Sequence, residues 1–493
     1  MDTIFSHPLA FAVVLLVPLF GIAAKVFGAS FQKIAKWYLY IAVFCVIVVM
    51  DSIFFPFIGG KDWFFRLAVE LSLIFGLLWW AFEARPGEAE ERVKSLFKKP
   101  LVLAMSAFAL MVLLASLFAL DVHAGFWSNF ERGEGAFQMI HYWIFFVLLG
   151  LFLREEKEWR KLFGFSLVAA VLMILYGLLA IWGAPGFIGP FAGGGAPSGG
   201  WVTQLIQGRF EGSLGNPAYV APYLLFAMFF AVYLWVTKRN KEQETGSKRN
   251  ARNWGYGILI FVFLVFFILS QTRGAFIGLG AGVFALLVYF LFSKQRNLKK
   301  WSAIILLICI VLAGIGYAIR NLPAVSNLPE GRLLQLSLSD ATAQTRFWVW
   351  GEAWQAFLAR PVFGWGPENF TAAFDKYFNP NFFIPGQNTE TWFDRAHSVF
   401  FDYLAETGIL GLLAYLSMFV AFYIEFFRRR KSKAENGTSP EGTLTHTLTN
   451  GFLFAMPIAY LVQGIAIFDV LPMYISLFMF LAFSNFYFRE HKA

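Results

Sequence analysis

Residues 254–293 read WGYGILIFVFLVFFILSQTRGAFIGLGAGVFALLVYFLFS, and Arg273 is the one charged side chain in the stretch. Apolar runs fill 254–270 and 275–293, each long enough to cross a hydrocarbon core of roughly 30 Å as a helix. Gln271-Thr-Arg-Gly274 between them leaves room only for a tight turn. Further apolar runs recur near 8–25, 37–55, 63–82, 100–120, 136–153, 161–182, 217–236, 301–319, 398–424, 451–468 and 473–488. In lipid the backbone must satisfy its own hydrogen bonds, so repeated runs of this length mean a helical bundle. The expected fold is an all-α integral membrane protein, a polytopic bundle of about 12–14 transmembrane helices. One long extracytoplasmic loop, 320–397, interrupts it and contains surface-lying helices.

Composition agrees: hydrophobic residues make up 58% and charged residues 14%, which excludes an ordinary soluble domain. Lys and Arg collect in alternate loops, at 25–36, 85–99, 154–161, 238–252, 294–300 and 428–433. The positive-inside rule puts these loops in the cytoplasm. Residues 121–135, 183–216, the 271–274 turn and 320–397 then lie outside, and an odd span count leaves the N-terminus outside and the C-terminus inside. The net charge of +9 is thus mostly topology. Nucleic-acid binding needs basic residues gathered on one soluble face, and here they are dispersed. Cys45 and Cys309 sit inside expected spans and exclude a disulfide framework. The first run lacks a basic leader and a small-residue cleavage site, so it reads as a span and not a signal peptide.

A loop as long as 320–397 inside a compact membrane protein is usually functional or disordered, and its Trp, Phe and Gly content argues against disorder. Ala341 to Leu358 reads as a helix, with Phe347, Trp350, Trp354, Phe357 and Leu358 at helical spacing and Asp340 or Thr342 as cap. Pro361 stops it. Its aromatic face suits either the headgroup boundary or the outer surface of the bundle, and both hold Arg346 near the headgroups. Gly193 to Gly200 reads as a flexible outer linker, since no Lys-Ser/Thr follows as a phosphate loop requires. Gly278, Gly280 and Gly282 read as small residues that let helices approach. The sequon Asn436-Gly-Thr438 falls in a cytoplasmic loop and carries no weight.

Ionisable residues inside spans are costly and mark functional sites by default. Asp51, Arg66, Glu70, His141, Asp402 and Glu406 all fall toward outer halves, while Glu425 sits at an inner end. A transporter needs polar groups near the midplane and on toward both faces; polarity concentrated on one side favours a site at the outer leaflet. Arg132, Arg209, Arg273, Arg320, Arg332, Arg346, Arg360 and Arg395 are expected outside. Guanidinium matches phosphate oxygens with a bidentate fork, and several together would suit a diphosphate. Glu131, Glu134, Glu211, Glu352, Glu368 and Asp394 offer ordinary ion pairs instead; Arg273 has no carboxylate near it in sequence. His397 heads its span, where it can serve as general base for a hydroxyl, with a pKa near neutrality, or as a structural donor. Glu406, nine residues on, falls on the opposite helix face. With no Asp-x-Asp and no His-Glu-x-x-His, and with His123 and His141 far apart, no metal site or cofactor is expected.

Four segments together carry a resemblance: Arg209-Phe-Glu-Gly-Ser-Leu-Gly-Asn-Pro-Ala-Tyr219; Ser270-Gln-Thr-Arg-Gly-Ala275; Arg346-Phe-Trp-Val-Trp350 with Pro361-Val-Phe-Gly-Trp-Gly-Pro-Glu-Asn-Phe370; and Ala396-His-Ser-Val-Phe-Phe-Asp-Tyr-Leu-Ala-Glu-Thr-Gly408. They resemble the O-antigen ligase superfamily, which also includes O-antigen polymerases and bacterial protein O-oligosaccharyltransferases. Phe126 to Glu134 matches more weakly. The resemblance implies an inverting, metal-independent glycosyltransferase of the bacterial cytoplasmic membrane, with its active site facing outside. It would move a glycan from a polyprenyl (undecaprenyl) diphosphate to a hydroxyl of a lipid, glycan or protein acceptor. It implies that Arg273 and Arg346 grip the diphosphate and that His397 binds or deprotonates the acceptor. Arg132, Arg209, Asn216, Trp350, Arg360, Glu368, Asn369 and Arg395 are the further candidates for substrate binding. Where the pattern usually reads His-Asn this chain has His397-Ser398, and Thr272 stands where Ser is common. The corresponding division is N-terminal helices over 1–204, a ligase-like core over 205–424 and C-terminal helices over 425–493. A transporter of lipid-linked glycan and a non-catalytic assembly subunit are the competing readings.

Overall fold

The computed structural model describes residues 8–50, 53–129, 132–182, 201–244, 252–320, 322, 341–383, 390–435 and 444–490. Asp51, Glu131, Arg332, Asp340, the 193–200 linker and the 436–438 sequon lie outside them. The described residues are helical with no strand. Eight helices are long and apolar enough to cross a membrane, from Gly59–Phe82 to Leu471–Phe488, and Leu16–Val26, Ala136–Phe152 and Trp254–Leu269 are shorter apolar helices. Phe31–Ala42 and Leu444–Gly464 complete a helical segment for each expected span. Two segments depart from a simple rod. The run expected at 37–55 is regular helix only to Ala42, then a 3-10 turn over Val43–Ile47. The run expected at 398–424 becomes Val399–Glu435, broken at Gly408, whose φ of 64° and ψ of −167° lie outside helical space.

Polar contacts sort the loops into two ends. At one, Lys25 binds Glu83 at 2.7 Å, Lys36 binds Glu158, Arg160 donates to Thr237 at 2.9 Å and Arg429 stacks on Tyr487. The described Lys and Arg residues of the Lys/Arg-rich loops fall at this basic end. At the other, Arg132, Tyr219 and Asp394 meet, as do Arg209 and Thr272, and Leu120 and Trp365.

The last helix, Leu471–Glu490, runs through the middle of the bundle, and its whole apolar window is buried; Arg296–Ile319, only 6% buried, stands at the rim. Apolar side chains gain nothing by leaving lipid for protein, so close packing decides which helices pair. Arg273–Leu291 pairs with Leu444–Gly464 in this way. A Cβ on Gly278 would stand 2.7 Å from the Ala459 carbonyl, and one on Gly282 2.7 Å from the Ala459 Cβ. Gly280, between them, faces open space.

Candidate active site

The break at Gly408 frees backbone groups of the Val399–Glu435 helix, and the segment after Pro361 docks on them. Ile409 N–H donates to the Pro361 carbonyl at 2.9 Å, Trp365 N–H to Ala405 at 2.9 Å and Gly366 N–H to Glu406 at 2.8 Å. The approach requires glycine: a Cβ on Gly364 would lie 2.4 Å from the Glu406 backbone, and one on Gly408 2.4 Å from the Val362 carbonyl. Both have positive φ. The segment in turn receives the Leu120 N–H on the Trp365 carbonyl at 2.9 Å.

Beneath this plug lies a buried ionic network. Arg395 donates to Glu406 at 2.8 Å and to Glu368. Glu368 also accepts from Asn129 at 3.0 Å, and its N–H donates to Glu406 at 3.0 Å. Asn369 brackets the Asp121 backbone, accepting at 2.8 Å and donating at 3.2 Å. Arg360 lies over the Trp365 ring and reaches the Phe118 carbonyl at 3.5 Å. Four candidate substrate binders, Arg360, Glu368, Asn369 and Arg395, therefore direct polar groups at protein partners. Asn216 does likewise, its side-chain oxygen accepting the Ala218 N–H at 2.8 Å in the first turn of the Pro217–Glu244 helix. Glu406, as its helical offset implies, serves Arg395 and not His397. Arg66, Glu70 and His141 also pair locally, Arg66 with Gly133 at 2.9 Å and His141 with Glu70 at 3.0 Å.

A second group of cations is arranged differently. Arg209 donates to the Ser270 carbonyl at 3.3 Å and to the Thr272 hydroxyl at 3.4 Å; that hydroxyl donates to the Pro217 carbonyl at 3.1 Å. Arg273 is the first residue of the Arg273–Leu291 helix. Arg346 comes from the Ala341–Ala359 helix. Burial, and after it the charges of Arg209 and Arg273, hold the Arg346 pKa below the usual guanidinium value, with Glu390 opposing them. Three guanidinium groups from three elements thus lie within electrostatic reach of one another. Like charges brought together cost free energy that a bound anion repays.

His397 borders the same space. Its φ is 53°, the left-handed region, which in a non-glycine residue costs on the order of 1–3 kcal/mol. Nδ1 lies 3.1 Å from the Arg395 carbonyl. A carbonyl only accepts, so Nδ1 carries the proton and Nε2 is the acceptor of the neutral ring. The imidazole sits edge-on between Phe393 and Phe468, at 5.4 and 5.2 Å. Burial among these rings pushes its pKa down to about 4; the Arg395 carbonyl and Asp394 oppose that shift, and the Arg346 and Arg132 charges add to it. This corrects the near-neutral pKa expected from residue type. Arg132 grips Asp394 with two hydrogen bonds of 2.5 and 2.9 Å, takes Tyr219 at 2.7 Å and lies over Phe468. Burial would raise Asp394, but the Arg132 hydrogen bonds outweigh it and hold the carboxyl below its usual range.

Of the two placements open to the aromatic face, lipid headgroups or the bundle, Trp350 takes the second. Phe347, Trp354 and Leu358 are exposed, whereas Trp350 turns inward, stacks on Phe401 and donates to the Ala396 carbonyl at 3.1 Å. Residue type could not have revealed Glu390, Phe393 or Phe468; Phe468 reaches His397 from a distant hairpin and leaves no local signal. Among the described residues no group of three His, Cys, Asp or Glu is placed to hold a metal ion.

A family model described as O-antigen ligase matches residues 258–416, a span that contains Arg273, Arg346 and His397 but neither Arg132 nor Arg209. No curated protein matches the chain.

Proposed function

We propose that this multi-pass membrane protein, whose residues 258–416 match the O-antigen ligase family model, transfers a glycan from a polyprenyl diphosphate to an acceptor hydroxyl on the outer side of the bacterial cytoplasmic membrane. The single observation that carries this reading is the cluster of Arg209, Arg273 and Arg346 beside the neutral imidazole of His397. The acceptor oxygen attacks the anomeric carbon while its proton passes to His397 Nε2. The bond from that carbon to the diphosphate oxygen breaks on the opposite face, inverting the configuration, and its electron pair leaves with the diphosphate. Guanidinium groups fixed at the departing oxygens stabilise the charge as it develops, the kind of contribution worth about 3–4 kcal/mol per donor removed. Arg132 and Asp394 anchor the loop that carries His397. Lipid core, lipid-linked glycan and protein side chain are the acceptor classes of the superfamily.

The experiment is turnover of a polyprenyl-diphosphate glycan by the purified protein in a metal chelator. Arg273→Ala and Arg346→Ala should each lower kcat by about 10²–10³-fold, in line with loss of a donor to a developing anion, and His397→Ala should lower it by about 10²–10⁴-fold. Full activity in Arg273→Ala and His397→Ala would overturn the assignment. In cells lacking the chain, loss of polymer attachment would point to a ligase and loss of polymer length to a polymerase.

A further inference from the structure

We infer that Trp350 is a positioning residue that holds His397 in its left-handed conformation, and that it does not contact substrate. The inference rests on the proposed role of His397. Three bonds fix the short turn that carries the imidazole. The Trp350 indole N–H donates to the Ala396 carbonyl at 3.1 Å, the Ala396 N–H donates to Asp402 Oδ1 at 2.6 Å, and the Val399 N–H donates to the Ile467 carbonyl at 2.9 Å. They hold both polar groups of the residue before His397 and the N–H of the residue two after it. Non-glycine residues persist at positive φ only where their surroundings over-determine them, and here the surroundings are these three bonds. The indole is itself fixed, stacked on Phe401 at 5.2 Å with an interplanar angle of 15°. Trp350 and Arg346 lie one helical turn apart on Ala341–Ala359, so one rigid helix carries a diphosphate-gripping arginine and the brace of the base. Their relative placement is set before any substrate arrives.

The test is Trp350→Phe, which keeps a ring against Phe401 and loses the N–H. A second variant carries benzothienylalanine at 350, nearly the same shape with sulfur in place of N–H, in case phenylalanine packs badly. Both should lower kcat about 10- to 30-fold, with the KM for donor and acceptor within about two-fold of the parent. The acid limb of kcat/KM should also move upward, because an imidazole released from Phe393 and Phe468 is better solvated and more basic. In a His397→Ala background neither change should lower the residual rate further, since no imidazole is left to position. A raised KM at unchanged kcat, an unmoved acid limb, or an equal further loss in that background would overturn the inference. Unaltered activity in His397→Ala alone would instead sink the proposed function, so the two failures are distinguishable.

Discussion

His397 shows how far a residue's chemistry is set by neighbours remote in sequence. An imidazole pushed down to about 4 is neutral, and so free to accept a proton, through the physiological range, though its basicity is lower; acid removes that capacity by protonating it. The profile of kcat/KM reports the free protein, so its acid limb should lie near pH 4–5 and not near the ordinary histidine value of about 6.5. In the proposed complex a diphosphate dianion stands nearby and favours imidazolium, so the acid limb of kcat should lie higher than that of kcat/KM. Arg346→Gln removes a positive charge that lowers the His397 pKa, and the kcat/KM limb should rise in that variant. A limb fixed at one pH in kcat, kcat/KM and Arg346→Gln would count against His397 as the base. The sequence offered the histidine and its acidic neighbour Asp394; the rings of Phe393 and Phe468 that depress it come from a loop and a distant hairpin.

Helix pairing turns on register, which periodicity alone does not reveal. Gly278, Gly280 and Gly282 read equally well as packing glycines, yet the structure uses the first and third only. Gly278→Ala drives a methyl group to 2.7 Å from the Ala459 carbonyl, and such overpacking typically costs about 1–3 kcal/mol. Gly280→Ala meets nothing within 4 Å and gains helix propensity of up to about 1 kcal/mol. Thermal unfolding in one detergent should therefore give opposite shifts for the two variants, and equal shifts would mean that the Arg273–Leu291 and Leu444–Gly464 helices pair elsewhere. The same reasoning explains what could be read of the loop. Pro361 announced the end of the Ala341–Ala359 helix, and the glycines after it announced a turn. That the turn would plug a break at Gly408 depends on a residue inside an apparently continuous apolar run, where glycine also reads as ordinary packing.

The all-helical, multi-span class was readable because a span needs enough apolar length, which eight of the helices supply. The arginine cluster was readable only as a list of cations: Arg273 and Arg346 are 73 positions apart in sequence, and what joins them is the return of the chain after Arg296–Ile319. Of the cations on that list, Arg395, Arg360 and Arg132 direct their guanidinium groups at partners contributed by Glu368, Glu406, the Phe118 carbonyl, Asp394 and Tyr219, all remote from them in sequence or invisible to residue type. The proposed orientation, with the basic end in the cytoplasm, rests on the positive-inside rule applied to the Lys- and Arg-rich loops. That orientation can be tested with a membrane-impermeant maleimide on intact cells, in a Cys309→Ser background that removes the exposed native thiol and leaves the buried Cys45. Trp392→Cys, at an exposed position on the cluster side, should label without permeabilisation. Lys94→Cys, on the exposed face of the Glu88–Phe97 helix at the basic end, should label only after it. The reverse pattern would put the guanidinium cluster in the cytosol, where an acceptor on the outer surface could not reach it.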